Sequence, residues 1–456
     1  MEEGIIDQRN VTDLAGQLDG SVQRPGDPEY DTARTIWNGM IDRRPALIAR
    51  CASTEDVVAA VRFAREHDML VSVRGGGHNV AGNAVCDDGL MIDLTLLNDV
   101  QVDVGARRVR AGGGCTLGTI DSASHEHGLA VPAGIISETG VGGLALGGGV
   151  GWLVRKYGMT CDNIISAEVV TADGRTVTAS ANENADLYWG LRGGGGNFGI
   201  VTSFEFQAHP VKNVIGGMII HPREASREVF RFYRDFTKQA AIELTAYCAC
   251  LTTPDGLPIT AIMACYCGDI SASEAVLKPM REFGNPIADT MAEIPRTDMQ
   301  TMFDAGFPYG NRNYWKSSFM DELTDDAIDL VIDHANRMTS PLSAVMIEYY
   351  HGGPSSEISA TETAFAHRDA QYDLGIIGQW QNSAQDDEQM HWARTTYDAL
   401  QPHCNGRIYA NLMGGDQMTE ETQLRAAFGV NYERLVELKR KYDPTNFFRL
   451  NQNIKP

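Results

Sequence analysis

Val71-Ser72-Val73-Arg74-Gly75-Gly76-Gly77-His78-Asn79 is the stretch from which the fold can be read. Its apolar start, Met69 to Val73, reads as a short buried strand that empties into three glycines. Without side chains, those residues can turn several backbone N–H groups toward one anion, the nest that binds a pyrophosphate. A Rossmann loop needs a helix to begin at once. Here the chain continues Val80-Ala81-Gly82-Asn83, which does not read as a helix. The phosphate loop therefore belongs to another fold.

Working outward, residues Thr54 to Asp68 read as a helix. Thr54 is its expected cap, and Val57, Val58, Val61, Phe63 and Ala64 form its apolar stripe. Downstream, Met91–Leu94 and Arg108–Ala111 read as strands. Ala167–Thr171 and Thr176–Thr178 read as a hairpin across Asp173-Gly174. Glycines cluster again at Gly112–Gly114, Gly142–Gly151 and Gly193–Gly196, where the backbone must turn tightly or meet a ligand. After about Pro210 the clusters stop. Thr245–Cys250 and Ile259–Cys267 read as strands paired across Pro254-Asp255-Gly256. Thr324–Arg337 reads as a helix, Met346–Tyr350 and Ile376–Trp380 as strands, and Tyr432–Tyr442 as an amphipathic helix. The class is α+β.

With 456 residues, 43% of them hydrophobic, the chain suits two or three globular domains. A net charge of −22 without a basic run excludes nucleic acid as a partner. The acidic start at Met1 has no apolar signal core, and no apolar run reaches membrane-spanning length. Nine scattered cysteines point to reduced thiols and a cytoplasmic protein. His125-Glu126-His127 reads as a helix end and not a metal site. Cys248, Cys250, Cys265 and Cys267 read as small core side chains, with zinc or disulfides as the lesser reading.

Four further blocks complete the pattern. They are Gly140-Val141-Gly142-Gly143 running to Gly147-Gly148-Gly149-Val150-Gly151-Trp152, and Tyr157-Gly158-Met159-Thr160-Cys161-Asp162-Asn163. Then come Gly193-Gly194-Gly195-Gly196-Asn197-Phe198-Gly199-Ile200-Val201, and Asp443-Pro444-Thr445-Asn446-Phe447-Phe448 running to Asn451-Gln452-Asn453-Ile454. In this order the blocks resemble the berberine-bridge-enzyme-like flavoproteins of the vanillyl-alcohol-oxidase (PCMH-type FAD) superfamily. The resemblance runs from about Pro45 to the C-terminus. It is dense over residues 70–205 and 442–454 and thin between them.

The resemblance implies a PCMH-type FAD-binding domain formed by both chain ends, residues 1–208 and 419–456, around an inserted substrate domain, 209–418, with an antiparallel sheet. It implies FAD bonded through its 8α-methyl carbon to His78 and through ring carbon C6 to Cys161. Both side chains are nucleophiles, as attack on an electron-poor ring requires. The bland alternatives are a loop histidine and a small buried thiol. The implied cofactor set also holds Arg74, Gly75, Gly76, Gly77, Asn79, Val141, Gly142, Gly143, Gly148, Gly151, Asn163, Gly199, Ile200, Val201, Asn411, Asn451 and Asn453.

Many relatives take the substrate proton with the second tyrosine of a Y-x-N-Y motif. Tyr409-Ala410-Asn411-Leu412 has leucine there, so Tyr349, His351, Asp373 and Tyr409 become the candidates. Val141, between glycines, reads as permissive for O₂. The resemblance implies an oxidase of a small alcohol, sugar lactol or secondary metabolite that makes H₂O₂, as a monomer or homodimer. An amine oxidase, a dehydrogenase that avoids O₂, and a flavin-holding protein without turnover are the alternatives.

Overall fold

The computed structural model describes residues 8–415 and 421–456. Helix Thr54–Glu66 buries Val57, Ala60, Val61, Phe63 and Ala64 against strands Leu47–Arg50, Val71–Arg74 and Leu90–Asp93, which pair in parallel. Its cap is Ser53, whose side chain accepts from Asp56 N. Thr54, the expected cap, instead donates to Glu168 Oε1 at 2.7 Å. A second sheet is antiparallel and holds the expected hairpin, Ile164–Val170 with Thr176–Ser180. Strand Ile200–Gln207 pairs on both sides at its centre.

The C-terminal helix Tyr432–Tyr442 packs Leu435 and Leu438 into the same core as Phe198, Phe204 and Val169. Phe447 and Phe448 join the core under helix Thr54–Glu66. Both chain ends therefore build one layered unit. The tail is held by Lys439, fully buried, which donates to Asn197 O (2.9 Å), Asp443 Oδ2 (2.7 Å) and Phe448 O (2.7 Å).

Between the ends lies an eight-stranded antiparallel sheet. Leu244–Thr252 pairs with Pro258–Tyr266 on one side and Ala344–Tyr349 on the other, followed by Tyr372–Trp380 and Arg312–Met320. Successive residues of a strand face opposite sides. Tyr349 and Tyr372 face helices Ser226–Thr237 and Asp325–Ala335, while Tyr247 and Met346 face the first unit. The same parity separates the cysteines: Cys248 and Cys250 lie in the core under the helices, Cys265 and Cys267 in the core on the other face. Four thiols on two faces of a sheet cannot share one ion.

The chain has returned to the first core by Ile408, Tyr409 and Met413, ahead of the expected boundary at 418/419, which itself lies outside the described residues. No helix among the described residues is long and apolar enough to cross a membrane.

Candidate active site

Glycine acts here in two ways. A Cβ on Gly76 would stand 2.4 Å from Gly140 N, and one on Gly140 2.2 Å from Gly76 N. These two glycines press the Arg74–Asn79 loop against the second glycine block, backbone to backbone. By contrast, a Cβ on Gly143 or Gly196 meets nothing within 4 Å. Between these walls opens a cleft of about 1260 Å³, its mouth included.

Gly75, Gly76, Gly77, His78 and Asn79 form one wall of the cleft, and Gly142 and Gly143 a second. Gly199, Ile200 and Val201 form a third, with Asn411 and Asn451 at the end. Thr139, Gly195, Gly196 and Gln452 extend the expected set. The others stand behind the walls. The Arg74 guanidinium donates to Ala33 O. Val141 points into the core, its N–H donating to Cys115 O at 2.9 Å. Gly148 lies against Phe365 and Tyr409, and a Cβ on Gly151 would stand 1.9 Å from Ala133 O. Asn163 donates to Tyr157 O and Met159 O at 2.9 and 2.8 Å. Asn453 Oδ1 is buried without a partner but does not border the cleft.

His78 borders the cleft with its imidazole stacked on Trp37, centroids 4.2 Å apart and planes 18° apart. Burial lowers its pKa to about 4, so the ring is the free base at neutral pH. Its Nε2 is buried with no partner.

Cys161 is not brought to this wall. Its Sγ is buried, contacts Asp162 Oδ1 at 3.6 Å, and burial holds the thiol far above its usual range. Arg368 closes the cage, binding Asp162 through two bonds of 2.8 and 2.7 Å. The backbone N–H of Cys161 donates to Gly148 O at 2.8 Å.

The inner face of the large sheet carries two opposed carboxyls. Glu348 and Asp373 stand directly opposite each other on neighbouring strands, with Tyr247 opposite Glu348 on its other side. Burial raises both carboxyls, and the charge of Glu348 raises Asp373 further. Among the described residues no cation offsets either shift. Asp373 Oδ1, Tyr247 OH and Tyr350 OH are buried without partners. Glu348 keeps some accessible surface, whereas Asp373 is buried.

Asn411 joins Tyr409 to the cleft. It borders the cleft and donates to Tyr409 OH at 3.0 Å, while Gly149 N donates to the same hydroxyl at 2.8 Å. Burial chiefly drives the Tyr409 pKa up, with Asp373 among the nearby charges that add to it.

Two expected candidates lie elsewhere. Tyr349 is on the opposite face, 5.2 Å from the Tyr372 ring and under Arg155 at 5.4 Å. His351 lies past the strand end, its Nδ1 bonded to Ser356 Oγ at 3.1 Å and its carbonyl to Arg155 Nε at 3.0 Å. Glu348 is overshadowed in the sequence by its aromatic neighbours Tyr349 and Tyr350. Its signal is a charged residue at a buried parity of a strand.

The cleft fits a dinucleotide cofactor. Among the described residues, its glycine walls leave backbone exposed where a Cβ would fill it, no acidic side chain borders it, and His78 Nε2 and Asn451 Oδ1 are buried polar atoms awaiting a partner. Residues 45–180 match the family described as an FAD binding domain, and residues 409–455 the family described as berberine and berberine like.

An FAD-linked oxidoreductase of Dictyostelium discoideum is 32% identical over 449 residues, covering 98% of this chain and 97% of its own. (R)-6-hydroxynicotine oxidase of Paenarthrobacter nicotinovorans is 30% identical, with 96% and 97% covered. The crystal structure of 6-hydroxy-D-nicotine oxidase from Arthrobacter nicotinovorans superposes with a TM-score of 0.88 at 28% identity, covering 96% of this chain and 98% of that one.

Proposed function

The chain belongs to the berberine-bridge-enzyme-like FAD-linked oxidoreductases, and from that premise we propose an oxidase that holds FAD through His78 and takes the substrate proton on the Glu348–Asp373 pair. Bound FAD supplies the acceptor for a substrate hydride and hands the electrons to O₂, giving H₂O₂. The chain's own residues place the reacting groups.

One observation supports the reading: Asp373, buried, and Glu348, partly buried, stand opposed with no cation beside them among the described residues, and Asp373 lies near Tyr409, whose hydroxyl Asn411 joins to the cleft. Such a pair shares a proton at neutral pH and can accept another from a hydroxyl as the hydride leaves. Tyr409 is held as an acceptor by two donors and orients the site. The cleft wall at Gly142 and Gly143 carries no side chain, which supports access for O₂. His78 is neutral and at the cleft, as a nucleophile must be. A second bond from Cys161 lacks this support, because the thiol would first have to leave the cage made by Asp162 and Arg368. All nine cysteines are free, which supports the cytoplasm as its compartment.

The lead substrate is an alcohol or sugar lactol. An amine is the second reading, favoured by the uncompensated carboxyl pair, which an ammonium group would neutralise, and by the hydroxynicotine oxidase relative. A panel of alcohols, aldoses and amines, mixed with the holoenzyme without oxygen and scored by loss of flavin colour, separates the two. Air should then restore the colour within seconds, with one H₂O₂ per flavin. Reduced flavin that persists in air would make the protein a dehydrogenase.

A further inference from the structure

We propose that Trp37 is the positioning residue for attaching FAD to His78. This rests on the covalent reading above. Trp37 is fully buried and lies 4.2 Å from the imidazole, nearly parallel to it. The indole is itself held on several sides. Its Nε1 donates to Phe307 O at 2.8 Å, its backbone N–H donates to Gly77 O at 3.1 Å, and its carbonyl accepts from Gly310 N at 3.0 Å.

Trp315, on the inner face of the large sheet, packs edge-on against Trp37 at 5.4 Å. Tyr309 presents its edge to the imidazole at 6.5 Å and donates to Gly76 O at 2.7 Å. Thus residues 307–315 of the inserted region orient a histidine on a loop of the other unit.

That loop needs such help. Gly75, Gly76 and Gly77 have no side chains to pack, and Gly77 has φ +69°. His78 makes no side-chain hydrogen bond from Nε2. Apart from a hydrogen bond to its own backbone, stacking on a held indole is what fixes the ring plane, and with it the direction of the Nε2 lone pair.

In the attachment, an imidazole nitrogen bonds to the 8α-methyl carbon of FAD. The methyl carbon and the imidazole each lose one proton. The electron pair of the broken C–H bond passes to the flavin ring, and O₂ takes the two electrons and two protons as H₂O₂. A ring misplaced by about 1 Å slows such a step by up to roughly a hundredfold.

The test compares wild type, Trp37→Leu, Trp37→Met and Trp37→Phe, each incubated with FAD in air. Total FAD is read by absorbance, and the covalent fraction by acid precipitation over time. Trp37→Leu and Trp37→Met should bind FAD but attach it roughly tenfold to a hundredfold more slowly, and Trp37→Phe, which can still stack, should recover most of the rate. A merely structural role would lower total FAD and leave the covalent fraction of what is bound unchanged. That result, or wild-type attachment rates in Trp37→Leu or Trp37→Met, overturns the proposal. If Trp37→Leu yields no folded protein, Trp37→Met against Trp37→Phe decides it. Wild-type protein that releases all its FAD overturns the covalent reading itself.

Discussion

Glu348 and Asp373 face each other across neighbouring strands of the large sheet, Asp373 buried and Glu348 partly so, and among the described residues no cation stands beside either. Two carboxyls so placed cannot both ionise cheaply, so they hold one proton between them well above the ordinary carboxylate range. Asp373→Asn or Glu348→Gln should slow anaerobic flavin reduction by an alcohol about 10²- to 10⁴-fold. In wild type the reduction rate should rise with pH through about 7, where burial places Glu348, because the pair can take the substrate proton only after it has lost one of its two protons. Tyr349→Phe, on the other face, should change neither rate nor profile. A flat profile with full activity in both carboxyl variants would remove the pair from the chemistry.

The same pair costs stability. Glu348 titrates at about 7 in the fold against an ordinary 4.5, so the folded chain holds that proton more tightly than the unfolded chain. The cost is absent below about pH 4.5, grows as pH rises toward 7, and persists above it. Glu348→Gln should therefore raise Tm over wild type at pH 8, with the gap closing toward pH 5. A gap independent of pH would mean the carboxyl is not buried as an acid.

Gly143→Val and Gly151→Val separate the two uses of glycine. At Gly143 a Cβ meets no protein atom, so the variant should fold with near-normal Tm yet fail to take up FAD. At Gly151 the Cβ would stand 1.9 Å from Ala133 O, and the variant should not fold. FAD uptake by folded Gly143→Val, read from the flavin absorbance of purified protein, would contradict the placement of the cofactor.

Lys439→Met should lower Tm and FAD content together. It removes three hydrogen bonds and leaves Asp443 buried without its cation, a loss of about 3–5 kcal/mol. The segment it holds carries Asn451 and Gln452 to the cleft. Normal FAD content with unchanged Tm would show that the tail is held by other contacts.

The glycine loop was legible because a strand that ends in glycines without a following helix excludes the Rossmann alternative, and the structure shows that break at Arg74 with the glycines on the cleft wall. Helix Tyr432–Tyr442 was legible from its period. Glu348 was obscured because Tyr349 and His351 are larger signals, whereas only pairing to Asp373 reveals which parity faces inward. The cage of Cys161 was hidden for another reason: Arg368, which closes it, is far away in sequence. Trp37 gave no sign at all, since nothing local ties it to His78.

The most direct measurement is the fate of the flavin in acid-denatured His78→Ala. Wild-type protein should keep one FAD per chain in the precipitate and in its intact mass, and Cys161→Ser should do the same. His78→Ala should release its FAD entirely on denaturation. Flavin that stays bonded in His78→Ala would contradict attachment through His78 alone and show that the Cys161 thiol leaves its cage to reach the ring; loss of all FAD from denatured wild type would contradict covalent attachment altogether.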